Sequence, residues 1–241
     1  MAPNGVKIQL IENNSPLIMP KTNHDFVVRR LSDQAPWVIG RAGMHYRDLI
    51  PSRLGGSIIA SHIRIPDGGP VPDMVHYHTV GFQLIFCYKG WVDLVYEDQG
   101  KPFRLNEGCC VIQPPQIRHR VLFASNDIEV IEIGVPAEHV TTIDHEMSLP
   151  NDTINRQREF QGQKFVHHKV EDAVWEPFRL SQFKSRDTTI AENTKNVAGV
   201  KVAKFTGGGD VWSSHDTDIL FNFVMSGHMT LEGEGEKSND L

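Results

Sequence analysis

The stretch that decides the fold reads GPVPDMVHYHTVGFQLIFCYKG over residues 69–90 and resumes as GCCVIQPPQIRHR over residues 108–120. In a β-strand, residues i and i+2 face the same side, so His76 and His78 point inward together or not at all. Gln83 opens the next apolar run and can bring a side-chain oxygen to the same point. Five residues separate Gly108 from Pro114, and His119 follows five positions on, in a later strand that closes the set. Three neutral imidazoles and an amide oxygen make a half-shell with open positions, which is how a catalytic transition-metal site is built. Gly90 and Gly108 fall where turns are needed and a side chain is not tolerated.

Outward from this core, short β-rich runs are broken by Gly, Pro, Asn and Asp. They cover residues 56–66, 82–88, 91–96, 109–113, 121–123 and 129–135. Strands at this spacing predict a sandwich or closed barrel, and helical periodicity is scarce. Residues 147–163 are polar and read as a linker. The 241 residues suffice to bury a real core. The net charge is −6 and the 24 Lys and Arg form no stripe, which argues against nucleic acid or an anionic membrane as partner. No run of about 18 apolar residues is present, so no membrane-spanning helix is expected. The N-terminus lacks a basic segment followed by an apolar one, so a secretory leader is not expected either. The three cysteines, Cys87, Cys109 and Cys110, read as free thiols of a reducing compartment, with a cytoplasmic location the expectation.

The residues quoted above resemble the two signature motifs of the cupin superfamily, G-x5-H-x-H-x3/4-E-x6-G and G-x5-P-x-G-x2-H-x3-N. His76, His78 and Gly90 fall on the first motif, with Gln83 in place of the glutamate. Gly108, Pro114 and His119 fall on the second, with Gln116 and Phe123 replacing its inner glycine and its asparagine. The resemblance implies an all-β, double-stranded β-helix (jelly-roll) barrel. It implies one divalent transition metal (iron, nickel, manganese, cobalt or zinc) on His76, His78, Gln83 and His119. Glutamine for glutamate removes a negative charge, which favours Lewis acidity over the support of high oxidation states.

The second half echoes the first. Trp37-x3-Arg41 and Arg47-Asp48 recur as Trp175-x3-Arg179 and Arg186-Asp187, and the His78-to-Gly90 spacing recurs as His215 to Gly227. Such an offset fits a duplicated domain. The expected organisation is a metal-binding barrel over residues 1–150 and a partial second barrel over residues 151–241. The second copy reads as incomplete, either truncated or closed by a partner strand. It carries Ser213, His215 and Leu220 at the ligand positions and is expected to bind no metal.

Other residues remain open between two readings. His62 and Arg64 alternate with Ile63 and Ile65. If their face lines the barrel they bind substrate, Arg64 clamping a carboxylate; otherwise they lie on a solvated outer face. Cys87 shares the parity of Gln83, as a cavity group or a small core residue. Tyr77, Arg118 and Arg120 should point outward. Tyr46-Arg47-Asp48 forms a lid or a salt-bridged arm at a dimer interface, and His139, His145, His167 and His168 lie in loop-like sequence without an assigned role.

By resemblance to the quercetinase-like and gentisate-type cupins, the first functional expectation is a metal-dependent dioxygenase on a small enolisable or phenolic molecule, in a homodimer. The alternatives are a Lewis-acid isomerase or lyase and a non-catalytic ligand-binding barrel.

Overall fold

The computed structural model describes residues 17–209, 212–235 and 238–241. Its first part is built from twelve strands: β1 (Val38–Ile39), β2 (His45–Asp48), β3 (Ile59–Ile65), β4 (Gly69–Pro70), β5 (His76–Thr79), β6 (Phe82–Lys89), β7 (Trp91–Tyr96), β8 (Phe103–Asn106), β9 (Cys110–Ile112), β10 (His119–Ala124), β11 (Ile128–Val135) and β12 (Val140–Ile143). They form two antiparallel sheets. One runs β1-β2-β3-β11-β6-β9; the other runs β12-β5-β10-β7-β8, with β4 also on β10. From β5 to β12 the chain passes from sheet to sheet at every step except the β7–β8 hairpin. That wrapping is the jelly roll.

Side-chain parity sets what lies between the sheets. On β3, Ser61, Ile63 and Ile65 face inward; on β11, Ile128, Val130 and Glu132 do. The interior is filled by Ile63, Cys87, Val92, Leu94, Tyr96, Leu105 and Val111, among others. The tight turn after β6 needs Gly90, whose φ is +74° and whose missing side chain would meet Ser125 Oγ.

The larger sheet is apolar on its outer face as well. Phe82, Leu84, Phe86, Ile131 and Ile133 form a second core with Val166 and Ile190, and Val202, Ile219, Phe221, Phe223 and Met225 pack against it. This explains why the run FQLIFCY is apolar on both faces apart from Gln83: a strand covered on both faces has no polar side to alternate with.

The stretch expected as a linker, residues 147–163, holds irregular chain and then one arm of a small hairpin, β13 (Glu159–Phe160) with β14 (Gln163–Lys164). Next, β15 (His167–His168) pairs with β9 and so adds a seventh strand to the larger sheet. A separate antiparallel meander follows: β16 (Trp175–Pro177), β17 (Phe183–Asp187) and β18 (Lys201–Phe205). It repeats the order of β1–β3, and each Trp and Arg-Asp of the sequence echo sits in or beside the corresponding strand. The short strands β19 (Thr230–Leu231) and β20 (Asn239–Asp240) pair with each other. Among the described residues no helix is long and apolar enough to cross a membrane.

Candidate metal centre

His76 and His78 stand on β5, and His119 begins β10 opposite His76. All three are buried, and one ring nitrogen of each lies within 4.8 Å of the others. Their orientation is set by the backbone. His76 donates from Nδ1 to the carbonyl of Met74 at 2.7 Å, and His119 donates from Nδ1 to that of Ile117 at 3.0 Å. Each proton is thereby fixed on Nδ1, which leaves Nε2 as the lone-pair nitrogen. His78 shares a 2.9 Å hydrogen bond between its Nδ1 and Thr141 Oγ1 on β12. Burial pushes all three imidazoles below the usual histidine range, His78 to about 2. They are neutral at physiological pH, which is the form that binds metal.

Gln83 lies on the inward face of β6, fully buried. Its Nε2 donates to Glu132 Oε1 at 2.5 Å, while its Oε1 finds no partner among the described residues. The three imidazoles form a group that could hold a divalent ion, and Gln83 brings an unpartnered buried carbonyl on the inward face of the neighbouring strand.

The group opens onto a cavity of about 390 Å³, walled by aliphatic side chains such as Ile63, Ile85, Leu94, Val121 and Val130. Among the polar residues that line it, Glu132, His139 and Arg41 were not assigned to the site by sequence reasoning. Glu132 reaches in from β11, and burial raises its carboxyl above the usual range, opposed by the hydrogen bond from Gln83. His139 sits edge-on to His78, with ring centroids 5.3 Å apart. Arg41, in the turn between β1 and β2, pairs its Nη1 with Asp73 Oδ1 and donates from Nη2 to His76 Nε2 at 3.0 Å. An acidic residue at an inward position of the apolar strand EVIEIGV was the one available signal, for Glu132.

The groups expected to bind substrate lie elsewhere. His62 and Arg64 have the opposite parity to Ser61, Ile63 and Ile65, so they stand on the outer face of β3, away from the cavity. There His62 meets Glu129 Oε2 at 2.6 Å, and Arg64 and Arg47 both stack on Trp37. Cys87 does face inward, but it packs in the apolar core with its Sγ on the Gly90 carbonyl at 3.4 Å. Tyr77 carries the Arg118 guanidinium over its ring at 4.3 Å, and Arg118 also pairs with Asp144. His215 is exposed and bonded to Thr217.

Fold and histidine group together give a jelly-roll β-barrel whose His76, His78 and His119 could hold a metal ion. No protein-family model and no curated protein matches the sequence. Among solved structures, the chain is similar to a deletion mutant of the oxalate decarboxylase OxdC of Bacillus subtilis. The identity is 12%, over 76% of this chain and 59% of that one, with a TM-score of 0.49. It is also similar to the polyketide cyclase RemF of Streptomyces resistomycificus, at 18% identity over 52% of this chain and 89% of that one, TM-score 0.41. KdgF from Halomonas sp. gives 16% identity over 45% of this chain and 92% of that one, TM-score 0.37. The chain thus spans about three fifths of the decarboxylase's length.

Proposed function

We propose that this chain is a metal-dependent enzyme acting on a small enolisable or phenolic molecule, with dioxygen as its second substrate. The observation that carries the reading is three buried imidazoles, one ring nitrogen of each within 4.8 Å of the others, at the wall of an apolar cavity of about 390 Å³, large enough for a small organic molecule. A divalent ion there supplies a Lewis acid for an enolate or phenolate oxygen and, if redox-active, a path for electrons to dioxygen.

The protein supplies the rest. Met74, Ile117 and Thr141 hold the imidazoles in place. Glu132, made more basic than an ordinary carboxylate by burial, takes the proton of the enol or phenol at its Oε2, since Oε1 is occupied by Gln83. The aliphatic walls exclude water and so strengthen both interactions.

One observation favours a second reading, a Lewis-acid isomerase or lyase. A neutral amide ligand beside a proton-accepting carboxyl suits enolate chemistry in which no oxidation state changes. Elemental analysis of untagged protein, followed by oxygen uptake on a panel of enols and phenols, separates the two. Oxygen consumed in proportion to product supports the dioxygenase. Equal turnover under strict anaerobiosis transfers the assignment to the isomerase or lyase. Thermal stabilisation by these compounds without turnover leaves a binding barrel, and no metal after reconstitution ends the proposal.

A further inference from the structure

We propose that Arg41 selects the substrate: its guanidinium grips the carboxylate of an organic acid whose apolar body fills the cavity. The inference rests on the metal-centre reading above and names a substrate class for it.

Among the described residues lining the cavity, Arg41 is the only arginine or lysine, set against a largely aliphatic wall. Its position is built rather than incidental. The turn carrying it is closed by Gly40 N–H on the Met44 carbonyl at 2.8 Å and by Met44 N–H on the Arg41 carbonyl at 3.1 Å. Gly40 admits the ring of Tyr46, which a side chain there would strike at 2.7 Å. Ala42 takes the left-handed conformation that folds the turn over the site, at φ +54°.

Asp73 anchors one side of the guanidinium. Its carboxylate is buried and also accepts the backbone N–H of Met74 and of Val121, both at 2.9 Å, so it cannot follow Arg41 elsewhere. An arginine serving only that ion pair would need only Nη1. Here Nη2 is directed at the Nε2 edge of His76, the edge a metal would use. A metal taking that lone pair would displace this hydrogen bond and leave the Nη2 donor, still tied through Nη1 to Asp73, without its acceptor at the cavity wall. An anionic oxygen at that point receives a charge-assisted hydrogen bond from a donor whose orientation Asp73 has already fixed. The second, acidic residue of the wall, Glu132, is engaged with Gln83 on β6, so the acid group belongs at the Arg41 end.

The test is calorimetric titration of the metal-loaded protein with benzoate and its neutral analogue benzamide, with metal content measured for each sample. Benzoate is expected to bind the wild type at least tenfold more tightly than benzamide. Arg41→Gln should bring benzoate down to the benzamide level while keeping its metal. Arg41→Lys, which keeps the charge but loses the fork, should fall between. If Arg41→Gln alone sheds metal, retained benzoate preference in Arg41→Lys supports the inference and its loss overturns it. Benzoate binding that is unchanged in metal-loaded Arg41→Gln, or metal loss in both variants, overturns this inference alone. A wild type that holds no metal after reconstitution overturns the metal-centre reading and this one with it.

Discussion

His76 and His119 each lend their Nδ1 proton to a carbonyl two residues upstream, so the chain aims both imidazoles with its own backbone. Such a ligand can be removed without dismantling its support. His119→Ala is expected to lose most of the bound metal while its circular dichroism stays that of the wild type, checked by elemental analysis alongside the spectrum. Gln83→Leu should weaken metal binding about 10–100-fold, because it removes the orphaned oxygen and also strips Glu132 of its donor; competition with a chelator reads this directly. That His76, His78 and His119 come together was legible in the sequence, because strand parity and turn spacing alone bring them close. The other polar groups were not. Arg41 comes from the five-residue turn between β1 and β2, whose path over the cavity no periodicity encodes. His139 follows the chain's exit from β11, where local sequence reads as loop. Arg64 offered the right chemistry for an acid clamp, but parity places it on the far side of β3, and Arg41 stands in the cavity instead.

At the level of the element, the strand edges make clear what local sequence carries. The six β-rich runs all contain strands, because each has an inward apolar set and a turn on either side. Two-residue strands such as β15 have no such pattern, and only the partner makes them. β15 depends on β9 and on His167, whose ring stacks on Phe103 with centroids 4.2 Å apart. Burial first, then Lys169, pushes His167 down to about 4. Between that value and the unfolded one near 6.5, the unfolded chain binds the proton and the folded chain does not. Stability from this group is therefore full above about pH 6.5 and is lost as pH falls towards 4. The ring is only half-buried, so the loss is screened to roughly 1–2 kcal/mol. His167→Gln should show a smaller fall in Tm between pH 7 and pH 5 than the wild type. A fall of the same size would mean that the edge strand is indifferent to the charge.

For the whole molecule, the larger sheet joins the two halves of the chain. Its inner face makes the cavity wall, and its outer face packs against residues from 166 to 225. Phe223 rests edge-on to His62 and Tyr88, and Tyr88 donates its hydroxyl proton to the Met225 carbonyl at 3.1 Å. Phe223→Ala should cost about 2 kcal/mol, less than the ~3–5 of a fully buried phenylalanine, and appear as a lower denaturant midpoint at unchanged slope. The echo of Trp and Arg-Asp between halves was readable from sequence, but the packing of later residues on the outer face of the first barrel was not. That arrangement rests on which apolar residues meet across more than a hundred positions. On β6, Gln83 and Ile85 turn towards the cavity while Phe82, Leu84 and Phe86 turn away from it, alternating along one short segment. A random-mutagenesis screen for clones that fail to retain metal would therefore return two populations. One would map to the ligands; the other would scatter through the C-terminal half, in residues that never meet the ion but hold the back of the strand that presents Gln83.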